Sequence, residues 1–225
     1  MKKYAIIVAG GSGSRMGTTL PKQFLPLCGK PVLWHSLNSF LLAWTDLEII
    51  LVLPQDHLTV GQDIVNTTSH PARITITVGG ETRFHSVKNG LSLINEPAIV
   101  FVHDAVRCLI TTDLIHRCYD TTLEKGNAIP AIQPIDTLRI TTPDGNQLLD
   151  RDKVRIIQTP QTFYSDIIKK AFQQPYDPSF TDEASVVEKL GIPIQLIEGE
   201  STNIKITRPL DLLLAEKILA SNSAS

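Results

Sequence analysis

What this sequence lacks narrows its class before any motif is read. There are only three cysteines, Cys28, Cys108 and Cys118, with no C-x-x-C pair and no even set. A disulfide framework is thereby excluded, and free thiols in a reducing compartment are expected. No stretch approaches the ~18 consecutive apolar residues of a membrane span. Met1-Lys2-Lys3 resembles the charged end of a signal peptide, but the apolar run at 4–9 is too short for its core and runs into glycines. A cytoplasmic protein without a membrane partner is expected. Charge of one sign is also missing: 21 Lys and Arg against 23 Asp and Glu leave a net −2. No bulk positive field is available to hold a nucleic acid. Internal repeats and low-complexity tracts are absent, apart from a small-residue tail at 221–225. The six histidines show no metal-ligand spacing.

What is present suits an α/β enzyme. At 225 residues and 42% hydrophobic content, the chain can bury about 70–75% of its unfolded surface without staples. Continuous apolar runs at 4–9, 48–53, 73–78, 98–103, 128–132 and 194–197 read as parallel strands covered on both faces. Helical patterns lie between them. Phe84, Val87, Leu91 and Ile94 share a face after Gly79-Gly80. Thr112 is placed to cap a helix carrying Leu114, Ile115 and Cys118 that stops at Gly126. Thr181-Asp182-Glu183 opens another, with Gly191 beyond its end, and Pro209 opens the last, with Leu212, Leu213, Ala215 and Leu219. Such alternation predicts a doubly wound, three-layer, mostly parallel sheet. One stretch breaks the rhythm. Residues 137–142 alternate, Pro143-Asp-Gly-Asn146 is a turn, and 153–157 are β-rich again. This predicts a single domain over 1–225 carrying a β-hairpin arm at about 134–158. A lone hairpin is marginal in water, so the arm is expected to lean on a second subunit.

The first strand is followed by Gly10-Gly-Ser-Gly-Ser-Arg15-Met-Gly17. Glycines let backbone N–H groups approach an anion, and a helix N-terminus adds partial positive charge. Two familiar loops are excluded. No Gly-Lys-Ser/Thr follows, as a P-loop needs, and Met16 stands where a dinucleotide loop starting at Gly11 needs its third glycine. Instead Arg15 and, six residues beyond Arg15, Pro21-Lys22-Gln23 supply two cations. Two cations beside a backbone nest suit a triphosphate, each charge-assisted hydrogen bond being worth roughly 1.5–3 kcal/mol. Asp104 ends an apolar strand, where ligands collect in open α/β sheets or where an Asp caps a helix. Arg107 reads as its partner or as a substrate contact. Arg151, in a mixed charge run, would by itself be a solvated residue. Cys28 and Cys118 are read as packing residues.

Ala9-Gly-Gly-Ser-Gly-Ser-Arg-Met-Gly17 with Leu20-Pro-Lys-Gln-Phe-Leu25 resembles the start of the 2-C-methyl-D-erythritol 4-phosphate cytidylyltransferases of the non-mevalonate isoprenoid pathway. Gly79-Gly80-x-x-Arg83-x-x-Ser86-Val87, His103-Asp-Ala-Val-Arg107, Asp136-Thr137, Thr159-Pro-Gln161, Thr181-Asp-Glu-Ala-Ser185 and Asn203-Ile-Lys-Ile-Thr-Arg-Pro209 follow in the family's order. Cys108 stands where many relatives carry proline. The resemblance implies a Rossmann-like nucleotidyltransferase that joins CTP to a sugar-alcohol phosphate with Mg²⁺ or another divalent cation, as a homodimer through the arm. It implies Arg15, Lys22, Arg151 and Lys205 as catalytic residues. Ala9, Gly10, Gly11, Ser12, Gly13, Ser14, Gly80, Glu81, Ser86, Asp104 and Ala105 would surround the nucleotide, with Asp104 also at the metal. Thr137, Arg107, Thr181 and Thr207 would face the second substrate. A ribitol 5-phosphate cytidylyltransferase and a non-catalytic nucleotide-binding module are the rival readings.

Overall fold

Three β-rich runs, at the N-terminus and around residues 50 and 100, are apolar on both sides of the chain and form the centre of the sheet. The computed structural model of the protein describes residues 1–10 and 20–222. Its first half contains β1 (Lys2–Val8), β2 (Pro26–Leu27), β3 (Lys30–Pro31), α1 (Val32–Ala43), β4 (Leu47–Leu53), α2 (Leu58–Asn66), β5 (Ile74–Val78), α3 (Arg83–Leu91) and β6 (Ala98–Asp104). Then follow α4 (Thr112–Lys125), β7 (Asn127–Ile132), β8 (Leu138–Thr142), β9 (Gly145–Leu149), β10 (Ile156–Ile157) and β11 (Gln161–Tyr164). The chain closes with α5 (Ser165–Ala171), α6 (Glu183–Glu188), β12 (Leu196–Glu198) and α7 (Pro209–Asn222).

The main sheet runs β7-β11-β6-β1-β4-β5, with β10 and β12 also paired to β7. Strands β6, β1, β4 and β5 are parallel to one another. The sheet is mostly parallel, as expected, with one addition that the sequence did not single out: β11 lies antiparallel between β6 and β7. Only four residues long and opening on Gln161-Thr162, β11 carries no apolar run to announce it. Along β1 the side chains alternate between two cores. Ala5 and Ile7 pack with Leu33, Leu37 and Phe40 of α1 and with Leu114 and Cys118 of α4. Tyr4 and Ile6 pack with Phe84, Val87 and Leu91 of α3 and with Ile168 of α5. Those two clusters fill the two interfaces between the sheet and the helices on its faces, which makes a three-layer fold. No helix among the described residues is long and apolar enough to cross a membrane.

Local chemistry explains several boundaries. Helix α4 is capped one residue earlier than expected: Thr111, not Thr112, accepts from Leu114 N, and Gly126 ends the helix at φ +91°. Helix α6 has a capping box, with Asp182 accepting from Ser185 N and Ser185 Oγ closing back on the Asp182 backbone. The arm also differs from expectation. Its second strand is β9, whereas Asp150 caps a tight turn at Arg151–Lys153 and β10 returns to the main sheet against β7. Cys28 is exposed rather than packed, and occupies a left-handed backbone position (φ +48°) in the turn joining β2 to β3.

Candidate active site

After β1 the chain runs to β4 and β5 on one side, then crosses back through α3 to β6 on the other. The order therefore reverses between β1 and β6, and the crevice beyond their C-terminal ends is where such sheets take ligands. Val8 pairs with Asp104 at that edge. Ala9 is pinned there, its N–H on Val52 O (2.9 Å) and its carbonyl accepting from Gln23 Nε2 (2.8 Å). Gln23 follows Lys22 in a short helical turn in which both are buried.

The turn after β5 reaches the same crevice. Gly80 N donates to Ser86 Oγ (3.1 Å), and Ser86 Oγ donates to Thr82 O (3.0 Å). A Cβ on Gly80 would stand 2.4 Å from His85 Cβ, so only glycine lets this turn close on α3. Ser86 Oγ would also lie 3.8 Å from a Cβ on Gly10, which places Gly10, Gly80 and Ser86 around one opening.

Asp104 forms the floor, 6% exposed. Its Oδ1 accepts from Arg83 Nη1 in a short contact; its Oδ2 lies 2.7 Å from Lys205 Nζ and 3.8 Å from Arg107 Nε. Burial opposes its ionisation, but Arg83, then Lys205 and Arg107, hold the carboxyl well below the usual carboxylate range. Arg83 in turn grips Glu183 with two bonds, Nε to Oε1 at 3.1 Å and Nη2 to Oε2 at 3.0 Å. Burial raises the Glu183 carboxyl, and Arg83 opposes that rise.

A second set of bonds fixes the strand end. Thr159 Oγ1 accepts from Asp104 N (3.1 Å) and bonds His103 Nδ1 (3.0 Å). Burial depresses His103 to about 3, so the ring is neutral. Its Nε2 faces Arg107 O at 3.1 Å and must carry the hydrogen, which makes Nδ1 the acceptor for the Thr159 hydroxyl. Arg107 reaches Asn203 O (2.8 Å) and Ile157 O (3.4 Å), while Asn203 Nδ2 donates to Thr159 O (2.9 Å). These bonds tie the Lys205 segment to Asp104.

Of the residues singled out in the sequence, Asp104, Arg107 and Lys205 meet directly, and Ala9, Gly10, Gly80, Ser86 and Lys22 border the same crevice or its first loop. Ala105 is held by Val8 O and by Ser36 Oγ, and Glu81 is exposed. Gly11, Ser12, Gly13, Ser14 and Arg15 lie outside the described residues. Thr207 gives its hydroxyl to Asp211 Oδ2 at the start of α7, and exposed Thr181 gives its N–H to Ser185 Oγ. Thr137 and Arg151 are exposed beside the arm; Arg151 Nη1 donates to Ile135 O (2.8 Å), and no described bond joins either residue to the Asp104 cluster. Sequence reasoning gave no site role to Arg83, Thr159 or Glu183. Arg83 was visible in the Gly-Gly-x-x-Arg run, whereas Glu183 reads as an ordinary first-turn acid. Among the described residues no three His, Cys, Asp or Glu side chains form a ready-made cation site.

Known proteins share this sequence and fold over nearly the whole chain. The family profile described as 2-C-methyl-D-erythritol 4-phosphate cytidylyltransferase matches residues 4–221. A protein of that name from Bacteroides thetaiotaomicron is 45% identical over 219 residues, covering 97% of this chain and all of the relative. One from Porphyromonas gingivalis is 45% identical over 221 residues, covering 98% and 99%. The crystal structure of 4-diphosphocytidyl-2C-methyl-D-erythritol synthase from Anaerococcus prevotii superposes with a TM-score of 0.84 at 27% identity, covering 97% and 96% of the two chains. The Francisella tularensis enzyme, at 33% identity, gives 0.79 over 96% and 99%. By its match over nearly the whole length, this chain belongs to the 2-C-methyl-D-erythritol 4-phosphate cytidylyltransferase family.

Proposed function

We propose that the chain transfers the cytidylyl group of CTP to 2-C-methyl-D-erythritol 4-phosphate and releases pyrophosphate. The observation that carries this reading is the convergence at the β1/β6 switch point of the Gly10 exit, the Gly80–Ser86 turn and the Asp104–Lys205 pair. The acceptor's phosphate oxygen attacks the α-phosphorus, and the bond from that phosphorus to the β-phosphate oxygen breaks. Pyrophosphate leaves with the electron pair. The nucleophile is already anionic, so no strong general base is required. The barrier is the repulsion of anions, which cations placed in advance relieve.

In this reading Arg15 and Lys22 stabilise the charge that develops on the reacting phosphate. Gly80, Glu81 and Ser86 surround the base, with Ala9–Ser14 and Ala105 along the ribose and phosphates. Lys205, paired with Asp104 through a half-exposed side chain, exchanges that partner for the acceptor's phosphate. Arg151 and Thr137 complete the acceptor site, with Thr181 and Thr207 at its edge. The bonds of Arg107 to Asn203, Ile157 and Asp104 favour a supporting role over direct substrate contact.

Asp104 fits as the single protein ligand of Mg²⁺ or a similar divalent cation, because it is held ionised and magnesium commonly takes one carboxylate with substrate phosphates. Such a cation would supply charge neutralisation on the triphosphate. We also assign residues 1–225 to one domain and the arm to a homodimer contact. Ile135, Ile140 and Leu148 are 87%, 49% and 64% exposed on the arm, which is more apolar surface than a free hairpin would carry to advantage.

The test is pyrophosphate release from CTP and Mg²⁺ with each of two acceptors. Turnover with methylerythritol phosphate is expected. Turnover with ribitol 5-phosphate alone overturns the assignment, and binding of CTP without turnover of either leaves a nucleotide-binding module.

A further inference from the structure

We infer that Glu183 is a positioning residue for the cytidylyl transfer, acting on Asp104 through Arg83; the inference rests on Asp104 working at the nucleotide. Three elements distant in sequence meet here, with Arg83 opening α3, Asp104 ending β6 and Glu183 opening α6. A first-turn glutamate usually points to solvent, where it complements the helix dipole. Glu183 does not, being 1% exposed. Nor does it cap the helix, since Asp182 and Ser185 already form a complete capping box.

Its carboxylate is spent entirely on Arg83. Nε and Nη2 of the guanidinium each donate to one Glu183 oxygen. A planar guanidinium held by one edge has its remaining donors aimed in one direction, and here Nη1 meets Asp104. A buried ion pair is weak evidence for stability, because apolar side chains of similar volume often serve as well. What the pair does provide is a direction for Arg83 and therefore a fixed place for the Asp104 carboxylate. It also offsets charge: Asp104 faces Arg83, Arg107 and Lys205, and Glu183 pairs with the first of these.

A double-mutant cycle separates positioning from mere structural support. Glu183→Gln keeps the side-chain volume and one acceptor for Arg83. It is expected to lower kcat/KM for CTP about 10- to 100-fold, the usual effect of removing a group that orients a working side chain. In an Asp104→Asn background the same substitution should change the residual rate less than about threefold. An equal loss in both backgrounds, following the folded fraction measured by near-UV circular dichroism, overturns the inference. So does an unchanged rate in Glu183→Gln alone. Should Glu183→Gln not fold, Arg83→Gln with Glu183→Gln removes both buried charges, and the same cycle is run on that pair. Calorimetric titration with CTP and Mg²⁺, without acceptor, provides a readout independent of turnover. Binding weakened by Glu183→Gln only where Asp104 is present supports the inference, and equal weakening in both backgrounds overturns it. Failure of the wild-type protein to turn over either acceptor is a failure of the proposed reaction, and the binding cycle still decides the role of Glu183.

Discussion

Lys205 and Asp104 stand 2.7 Å apart, one side chain 43% exposed and the other 8%. A cation so exposed contributes little to stability, yet at the crevice it faces the arriving phosphates. Lys205→Ala should therefore lower kcat/KM by about 10²–10³, the scale seen on removing one transition-state contact, with little change in the denaturation midpoint. His103 makes the opposite kind of contribution. It is neutral when folded, depressed to about 3 from its ordinary value near 6.5. The unfolded chain thus binds more protons between those values, and stability is complete above about pH 6.5 and falls as pH drops toward 3. The loss is on the order of several kcal/mol. Urea denaturation across pH 7 to 4 should show that slope, and His103→Asn should flatten it, whatever its cost at neutral pH. Cys28 gives a third test. A non-glycine residue at φ +48° before Gly29 is strained, and Asn tolerates that position better. Cys28→Asn should raise stability by roughly 0.5–1 kcal/mol, measured by the shift in denaturant midpoint at constant slope.

At the scale of elements, α6 matters beyond its six residues. Asp182 caps it and also accepts from Gln161 Nε2 (2.8 Å), so one side chain joins the helix to β11. Asp182→Ala should cost about 1–2 kcal/mol, toward the upper end for a lost cap, and should lower activity if the helix start carries Glu183 away from Arg83. Parallel measurement of unfolding and turnover separates the two effects. The same element shows what a chain-local reading reaches. Thr181-Asp182-Glu183 is legible as a helix start, and the structure sets the cap at Asp182, with Ser185 closing the box. That Glu183 turns inward to Arg83, 100 residues earlier, depends on how α6 packs against α3. The arm shows the reverse difficulty. Its turn at Pro143–Asp144 and its alternation were legible, but β9 is exposed throughout, so burial left no apolar stripe to fix its register from sequence.

For the whole molecule, the proposed homodimer has a direct test. If Thr137 and Arg151 serve the partner's crevice, Lys22→Ala and Arg151→Ala proteins, each inactive, should recover activity when mixed. Random exchange places one intact site in half of the dimers, or about a quarter of wild-type activity. No recovery after confirmed subunit exchange would mean that each arm serves its own chain. The exposed Arg151 and Thr137, unconnected to the Asp104 cluster in the single chain, are what make the experiment decisive.

Sequence alone determined the alternating α/β order, the buried central strands and the glycine-rich exit from β1, because each depends on local periodicity and on residues that only certain backbones accept. Resemblance in motif order determined the family. Tertiary structure decided the rest. It inserted β11 antiparallel into the sheet, turned Cys28 outward, and gathered Arg83, Asp104, Glu183 and Lys205 from four segments into one charged cluster. Charges so far apart in the chain carry no periodic signal of their pairing; burial and the geometry of the guanidinium select their partners only when the layers close.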